Sequence, residues 1–317
     1  MKSDRGDEAM WRHATWATDF SELSEAALEF LIPLLKRFGT KLALVHCVPN
    51  IATAYTSGEL LEPLPADIPV MMNAVMRRMK EEAMEKLKAK ADELKLAGID
   101  AEPFVLEGDA HHAIIEFSRS HDTDLIVVGT KGESGIRGWF VGSTTARIVQ
   151  ASDRPVLSIS KPSKPTYERI LVPTDLSEAS SSALSYAVLL AKEIGASVFV
   201  LHVMELLEAI SERETLGKLE AMVKAKLQAM AEAANGLRDR MHCHALKRHH
   251  AAEGIIEFTD ENEISLIVMT THGRTGLSRF LWGSVAERIV RECGAPVIVG
   301  RAKAFELAVS RAKTQRG

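Results

Sequence analysis

Cysteine is scarce in this chain: Cys47, Cys243 and Cys293 stand in unlike contexts and form no CxxC pair. An odd count without paired spacing argues against a disulfide framework or a structural zinc site, and implies reduced, partly buried thiols. No uncharged apolar run approaches the roughly 20 residues that cross a bilayer, so no membrane partner is expected. The stretch from Met1 to Trp16 is charged throughout and lacks the apolar core of a secretion signal, which makes a cytoplasmic location the expectation. An excess of one charge is also missing. With 39 basic and 43 acidic residues the net charge is -4 at pH 7, so no overall field would draw nucleic acid. The basic tail from Arg301 to Gly317 reads as a solvated end rather than a binding arm. GxxxxGK[ST] is absent as well, which excludes a phosphate loop built on its lysine.

What is present is a repeat. The chain has 317 residues, 46% of them hydrophobic, enough for two cores in domains of about 150 residues each. Thr18-Asp19-x-Ser21-Glu22 returns as Thr174-Asp175-x-Ser177-Glu178, and His46 returns as His202, at a spacing of 156 (174 − 18). Further on, Ile114-Ile115-Glu116-Phe117 matches Ile255-Ile256-Glu257-Phe258, Gly142-Ser143 matches Gly283-Ser284, and Pro155-Val156 matches Pro296-Val297, at a spacing of 141 (283 − 142). The first copy therefore carries 15 extra residues (156 − 141) between His46 and Ile114, and Pro63, Pro65 and Pro69 there suggest an exposed, elongated insertion. Ser160 to Pro165, polar and with two prolines, reads as a linker, giving domains 1–163 and 164–317.

Within each copy, short β-branched runs alternate with helical stretches, the pattern of an α/β fold with a parallel sheet covered by helices. In the second copy Arg169 to Pro173 reads as a buried strand, and Ser177 can cap a helix that Gly195 ends. Strands are then expected near Ser197–Val203, Met241–Lys247, Leu266–Met269 and Pro296–Val299, with a last helix beginning at Gly283-Ser284. The first copy follows the same order with two blemishes. Its opening strand, Arg12 to Ala17, is poor in aliphatics, and Pro33 should kink or split its first helix.

The strongest motif follows the apolar run Leu125 to Val128, where Gly129, Gly132, Gly142 and Ser143 are spaced as G-x2-G-x9-G-S. Glycines at the end of a buried strand let backbone amides approach phosphate oxygens, and a helix starting at Gly142-Ser143 adds orphan amides and the positive end of its dipole. Asp19 lies just past the first strand, where a doubly wound sheet binds ligands and a carboxylate suits ribose hydroxyls. The same Asp19 also reads as a plain acidic residue at a helix start.

With these motifs in both halves, the chain resembles the universal stress protein family over nearly its whole length. The resemblance rests on PTDLS at 173–177, WATDFS at 16–21, LVHCV and LHV after the second strands, and the glycine signature of the ATP-binding branch. It implies two tandem doubly wound, Rossmann-like domains, each a five-stranded parallel sheet of order 3-2-1-4-5. It further implies that Thr18-Asp19 holds the ribose, that the backbone near Cys47 meets adenine, and that Gly129 to Thr144 holds the phosphates of ATP with Mg²⁺. Domains of the family pair through their fifth strands, which a tandem chain can do internally as a pseudo-dimer, with a homodimer also open.

The second copy departs from the pattern. Thr174, Asp175, Val203, Gly273, Gly283 and Ser284 occupy the matching positions, but Thr270 stands where the first glycine belongs, His249 replaces Gly108, and Ser265 replaces Asp124. A β-branched residue is costly if that backbone needs positive φ, so a weaker or altered second site is expected.

Rival readings remain. An adenylating or pyrophosphatase-type enzyme would need SGGxDS or HIGH-type motifs, which are absent, so at most slow ATP hydrolysis is expected. An interaction protein with no nucleotide is the third class. His242, His244, His249 and His250 raise a metal site, set against surface histidines in a degenerate ligand site, while His111-His112 reads as a helix start. Met71, Met72, Met76, Met79 and Met84 read as a packed helix face.

Overall fold

The structure is a computed structural model that describes residues 10–50, 67–130, 142–205, 213–233, 237–271 and 283–314. The first half runs β1 (His13–Ala17), α1 (Glu22–Phe38), β2 (Lys41–Val48), α2 (Asp67–Leu96), β3 (Ala101–Glu107), α3 (Ala110–Ser120), β4 (Leu125–Gly129), α4 (Ser143–Ala151) and β5 (Val156–Ile159). The second half runs β6 (Arg169–Pro173), α5 (Glu178–Ile194), β7 (Ser197–Glu205), α6 (Arg213–Ala233), β8 (Met241–Arg248), α7 (Ala251–Glu261), β9 (Leu266–Thr270), α8 (Ser284–Glu292), β10 (Val297–Gly300) and α9 (Ala302–Thr314).

All ten strands join one sheet of order β3-β2-β1-β4-β5-β10-β9-β6-β7-β8. The first half thus has the expected 3-2-1-4-5 order, and the second repeats it in mirror sense. Every neighbouring pair is parallel except β5 with β10, which meet antiparallel at Leu157↔Ile298. The fifth strands are therefore joined within one chain, and the halves share a continuous ladder.

Side-chain alternation along the strands sorts the apolar residues into two cores. Leu125 and Val127 of β4 point into the core under α1, α2, α5, α6 and α9, while Ile126 and Val128 point into the core under α3, α4, α7 and α8. Both cores draw residues from both halves. Strands buried on both faces need unbroken apolar runs such as Leu125-Ile126-Val127-Val128. Across the halves, the buried Trp11 indole donates to the Tyr186 hydroxyl at 2.8 Å. Ser160 and Ser163, in the linker segment, donate to the carbonyls of Cys293 and Gly294 at 2.6 and 3.1 Å.

Three expectations need correction. Pro33 neither splits nor ends α1, which is assigned unbroken from Glu22 to Phe38. Pro33 and Glu29, whose carbonyl loses its donor, both lie on the exposed face, where water can replace the bond, while Phe30, Leu31, Leu34 and Leu35 hold the buried face. The carboxyl tail is not a solvated end. Its residues 302–314 form α9, Phe305 is fully buried against the Tyr186 ring, and Arg301 donates to the carbonyls of Ala151 and Ser152 in the first half. The proline-bearing stretch of the first copy is helical from Asp67 on: α2 runs to Leu96, and Pro69 falls in its first turn, where a missing N–H is tolerated. Pro63 and Pro65 lie outside the described residues.

Candidate functional site

β1 is the strand at which the order reverses: β2 lies on one side of it and β4 on the other. The carboxyl ends of these strands define a crevice of the kind that takes ligands in open α/β sheets. Thr18 and Asp19 follow β1, Cys47 lies at the end of β2, and Gly129 closes β4.

The turn carrying Asp19 is tightly made. Phe20 adopts a left-handed φ of 64°, a conformation that costs a non-glycine residue about 1–3 kcal/mol and persists only where its surroundings impose it. Those surroundings are visible. The Phe20 amide donates to Thr18 Oγ1 at 2.8 Å, the Ser21 amide to Asp19 Oδ1 at 3.1 Å, and Ser21 Oγ caps α1 through the Ser24 amide. His46 Nδ1 bonds the Thr18 carbonyl at 2.8 Å while its ring stacks on Phe20 at 4.6 Å, and Lys86 Nζ lies over the Phe20 ring, 4.9 Å from its centroid. The second copy rebuilds this turn: Leu176 has φ 65°, its amide bonds Thr174 Oγ1, the Ser177 amide bonds Asp175 Oδ1, and His202 bonds the Thr174 carbonyl at 2.7 Å. The histidines are the site-building residues that sequence reasoning left without a role. Their recurrence at the same spacing as the Thr-Asp pair was the available signal.

On the opposite side of the crevice, Gly142 returns the chain to β4. Its amide donates to the Thr130 carbonyl at 2.6 Å, and Thr145 Oγ1 donates to the Gly129 carbonyl at 2.8 Å. A Cβ on Gly142 would come within 3.1 Å of the Thr130 carbonyl oxygen. Gly142 then sits at the N-cap of α4 with no side-chain cap, so the first amides of Ser143 and Thr144 and the helix dipole are directed outward for an anion. Residues 131–141 lie outside the described residues, and with them Gly132. The same holds for Gly273 in the second copy.

Gly129 also has a packing role. It ends β4 without a positive φ, but a Cβ there would lie 2.8 Å from the Ser24 amide nitrogen and 3.0 Å from the Leu23 carbonyl carbon. The glycine lets the first turn of α1 press onto the sheet. Thr270, its counterpart, ends β9 and shows no positive φ either.

Asp124 bonds the amides of Arg12 and His13 through Oδ2 at 2.8 and 3.1 Å, pinning the start of β1. Ser265 does the same for Arg169. Both are supports of the first strand, at the far end from the crevice. Near Cys47, Gly108 has φ 109°, whereas its counterpart His249 has no positive φ, although each directly follows the last residue of its strand, β3 or β8. Asp109 caps α3 through the amides of His111 and His112, whereas in the second copy Glu205 reaches across to the Ala251 amide at 2.8 Å.

Burial, with the nearby Asp109 and Glu107 charges, pushes the Cys47 thiol up to about 11, so it is protonated at neutral pH. Burial also lowers His111 despite Asp109 beside it. Asp109, His111 and His112 are close enough to form a metal-compatible group, yet the Asp109 carboxylate is already held by two backbone amides and by Arg147 at 3.8 Å. His242 and His244, by contrast, pack on Phe199 at 4.8 and 5.8 Å, and His244 also meets Phe258 at 5.0 Å. They belong to an aromatic cluster on β8; His249 and His250 are exposed in the β8–α7 connection.

Two doubly wound α/β units, each with its switch point at its first strand, define a tandem α/β protein. Comparison with known proteins agrees: the universal stress protein family model matches residues 10–160 and again 166–301. The chain belongs to the universal stress protein family. It is 35% identical over 153 residues to a universal stress protein of Methanocaldococcus jannaschii, covering 45% of this chain and 86% of that one. It is 24% identical over 294 residues to a universal stress protein of Mycolicibacterium smegmatis, covering 89% of this chain and 95% of the relative, which spans both halves. In fold it is similar to the crystal structure of a universal stress protein from Archaeoglobus fulgidus, with a TM-score of 0.67, 23% identity, and coverage of 92% and 98%. No helix among the described residues is long and apolar enough to cross a membrane.

Proposed function

We propose that the first half binds an adenine nucleotide, with ATP as its ligand, and serves as a nucleotide-responsive module of the stress response. The observation that carries this reading is the meeting of two features across one crevice: a carboxylate fixed on a strained turn after β1, and the uncapped start of α4 folded back onto Gly129-Thr130. Asp19 would take the ribose hydroxyls, the backbone at Cys47 the adenine edge, and the amides of Gly142, Ser143 and Thr144 the phosphates. Mg²⁺ would arrive with the phosphates and be held mainly by their oxygens and water, with the Ser143 and Thr144 hydroxyls as protein donors.

The role is binding rather than turnover. His46, beside the Asp19 turn, has Nδ1 on the Thr18 carbonyl and its ring on Phe20, an arrangement that positions a loop rather than a phosphate. Because β5 and β10 already pair within the chain, a homodimer would have to use another face.

Denaturing freshly purified protein and separating the released small molecules tests the reading. Adenine nucleotide, approaching one per chain after incubation with ATP and Mg²⁺, is the expected result. Protein that carries none and takes up none when ATP is added would overturn it.

A further inference from the structure

The second half holds a cavity of about 690 Å³ at the carboxyl ends of β6, β7 and β9, a volume in the range that encloses a drug-sized molecule. It occupies the place that the proposed nucleotide site has in the first half, but its walls differ, and most of the differences remove polarity. Val203 replaces Cys47, Met204 replaces Val48, and Met269 replaces Val128. Thr270 adds a side chain where Gly129 has none. At the helix start, where the first half carries hydroxyls on Ser143, Thr144 and Thr145, the second carries Ser284, Val285 and Ala286. Two of three hydroxyls at the helix start are gone, of which that of Thr145 is held by the Gly129 carbonyl in the first half. Leu219, Met222 and Val223 of α6 complete an apolar wall.

Two changes go the other way: Thr270 brings a hydroxyl, and Glu205 stands where the first half has Pro49, but the Glu205 carboxylate caps α7 through the Ala251 amide. Among the described lining residues, the formal charges are Asp175 and Glu205 against Lys226, a net of −1. Those described side chains do not neutralise a triphosphate, and stripping water from an unpaired phosphate is expensive.

From this re-lined cavity we infer that the second half has exchanged nucleotide for an uncharged ligand with an apolar body. Its carbon framework lies against Val203, Met204, Met269 and the α6 wall. The residual polarity at Asp175 and Ser284 orients one hydroxyl or amino group. The chain is then a two-ligand protein, with a charged, phosphate-bearing ligand in one half and an apolar one in the other, joined through the β5–β10 ladder. This inference concerns the second half and stands independently of whether the first half binds ATP.

The test uses Nile red, an uncharged apolar fluorophore, titrated into the full chain. The expected result is saturable binding of one dye per chain, with a blue-shifted emission, retained in Gly142→Glu. It should weaken at least tenfold in Val203→Trp, which fills the cavity, and in Met222→Glu, whose 63% exposed position keeps the fold out of question. Restoring the first-half residues with Thr270→Gly, Val285→Thr and Ala286→Thr together should weaken the dye and strengthen nucleotide binding. Non-saturable dye binding, dye affinity unchanged in both Met222→Glu and the restored triple variant, or displacement of the dye by ATP at concentrations that only just saturate the chain would each overturn the inference. Loss of ATP binding in Gly142→Glu with dye binding intact separates failure of one site from failure of the other.

Discussion

The indole of Trp11 and the hydroxyl of Tyr186 offer a direct measure of how firmly the two halves are locked together. Both side chains are essentially inaccessible, at 1% and 0% exposure, and lie 2.8 Å apart across the boundary between halves. Tyr186→Phe removes the acceptor without opening a cavity of any size. It leaves a buried N–H with no partner, which costs about 1–3 kcal/mol. Trp11→Phe removes the donor and also loses ring volume beside Phe38, which the indole meets edge-on at 5.2 Å, so its cost should be larger. In the double variant neither polar group is stranded. Its cost should therefore fall short of the sum of the single costs by about 1–2 kcal/mol, the coupling expected of groups in direct contact. Urea unfolding followed by circular dichroism measures all three. A coupling indistinguishable from zero, with each single variant folded, would refute the claim that this bond forms part of a shared core.

Further outcomes follow from the same geometry. Gly129→Ala should lower stability by about 1–3 kcal/mol, because its Cβ would meet the backbone of Ser24 and not a side chain that can swing away, whereas Thr270→Ala should cost less; equal unfolding midpoints for wild type and Gly129→Ala would contradict this. Cys47, raised to about 11, should be alkylated by iodoacetamide at pH 8 roughly a hundredfold more slowly than glutathione, as read by peptide mass spectrometry, and reaction at the rate of a free thiol would refute the burial argument. Burial, and then His242, hold His244 below the ordinary histidine value. The folded state therefore binds fewer protons there than the unfolded chain, so this contribution is present above about pH 6.5 and is lost as the pH falls below it. His244→Phe should flatten the fall of the urea midpoint between pH 7 and pH 5, and an unchanged slope would count against it.

Much of the fold was legible because the chain states it twice. Ser177 and Gly195 bound α5 as their capping chemistry requires, with Ser177 Oγ accepting from the Ser180 amide and Gly195 left-handed at φ 85°. The apolar runs of β4 and β9 announced strands buried on both faces. α9 was hidden by its charges. Ala304, Phe305, Ala308, Val309 and Ala312 lie on one helical face, but Arg301, Lys303, Arg311 and Lys313 dominate the local composition, and only the second half's α5 shows what that face covers. The turn carrying Asp19 was legible as a motif, yet not as a strained one, because its local bonds are braced by His46, whose contacts with Thr18 and Phe20 come from 26 residues further along the chain than Phe20. Gly129 reads from the sequence as room for a phosphate, and the structure adds that the first turn of α1 packs against it. Sequence marks the glycine but not the backbone that approaches it. The cap that Glu205 supplies to α7 is likewise a contact between residues 46 positions apart, invisible to any local pattern.

The account rests most heavily on the crevice of the first half, and calorimetric titration of ATP with Mg²⁺ into wild type, Gly142→Glu and Gly283→Glu tests it most directly. Wild type should bind one ATP tightly. Gly142→Glu, which places a carboxylate against the Thr130 carbonyl and the open start of α4, should lose binding at least a hundredfold, while Gly283→Glu should leave the tight event nearly unchanged. Full binding in a folded Gly142→Glu protein, or equal losses in the two variants, would contradict the assignment of nucleotide to the first half.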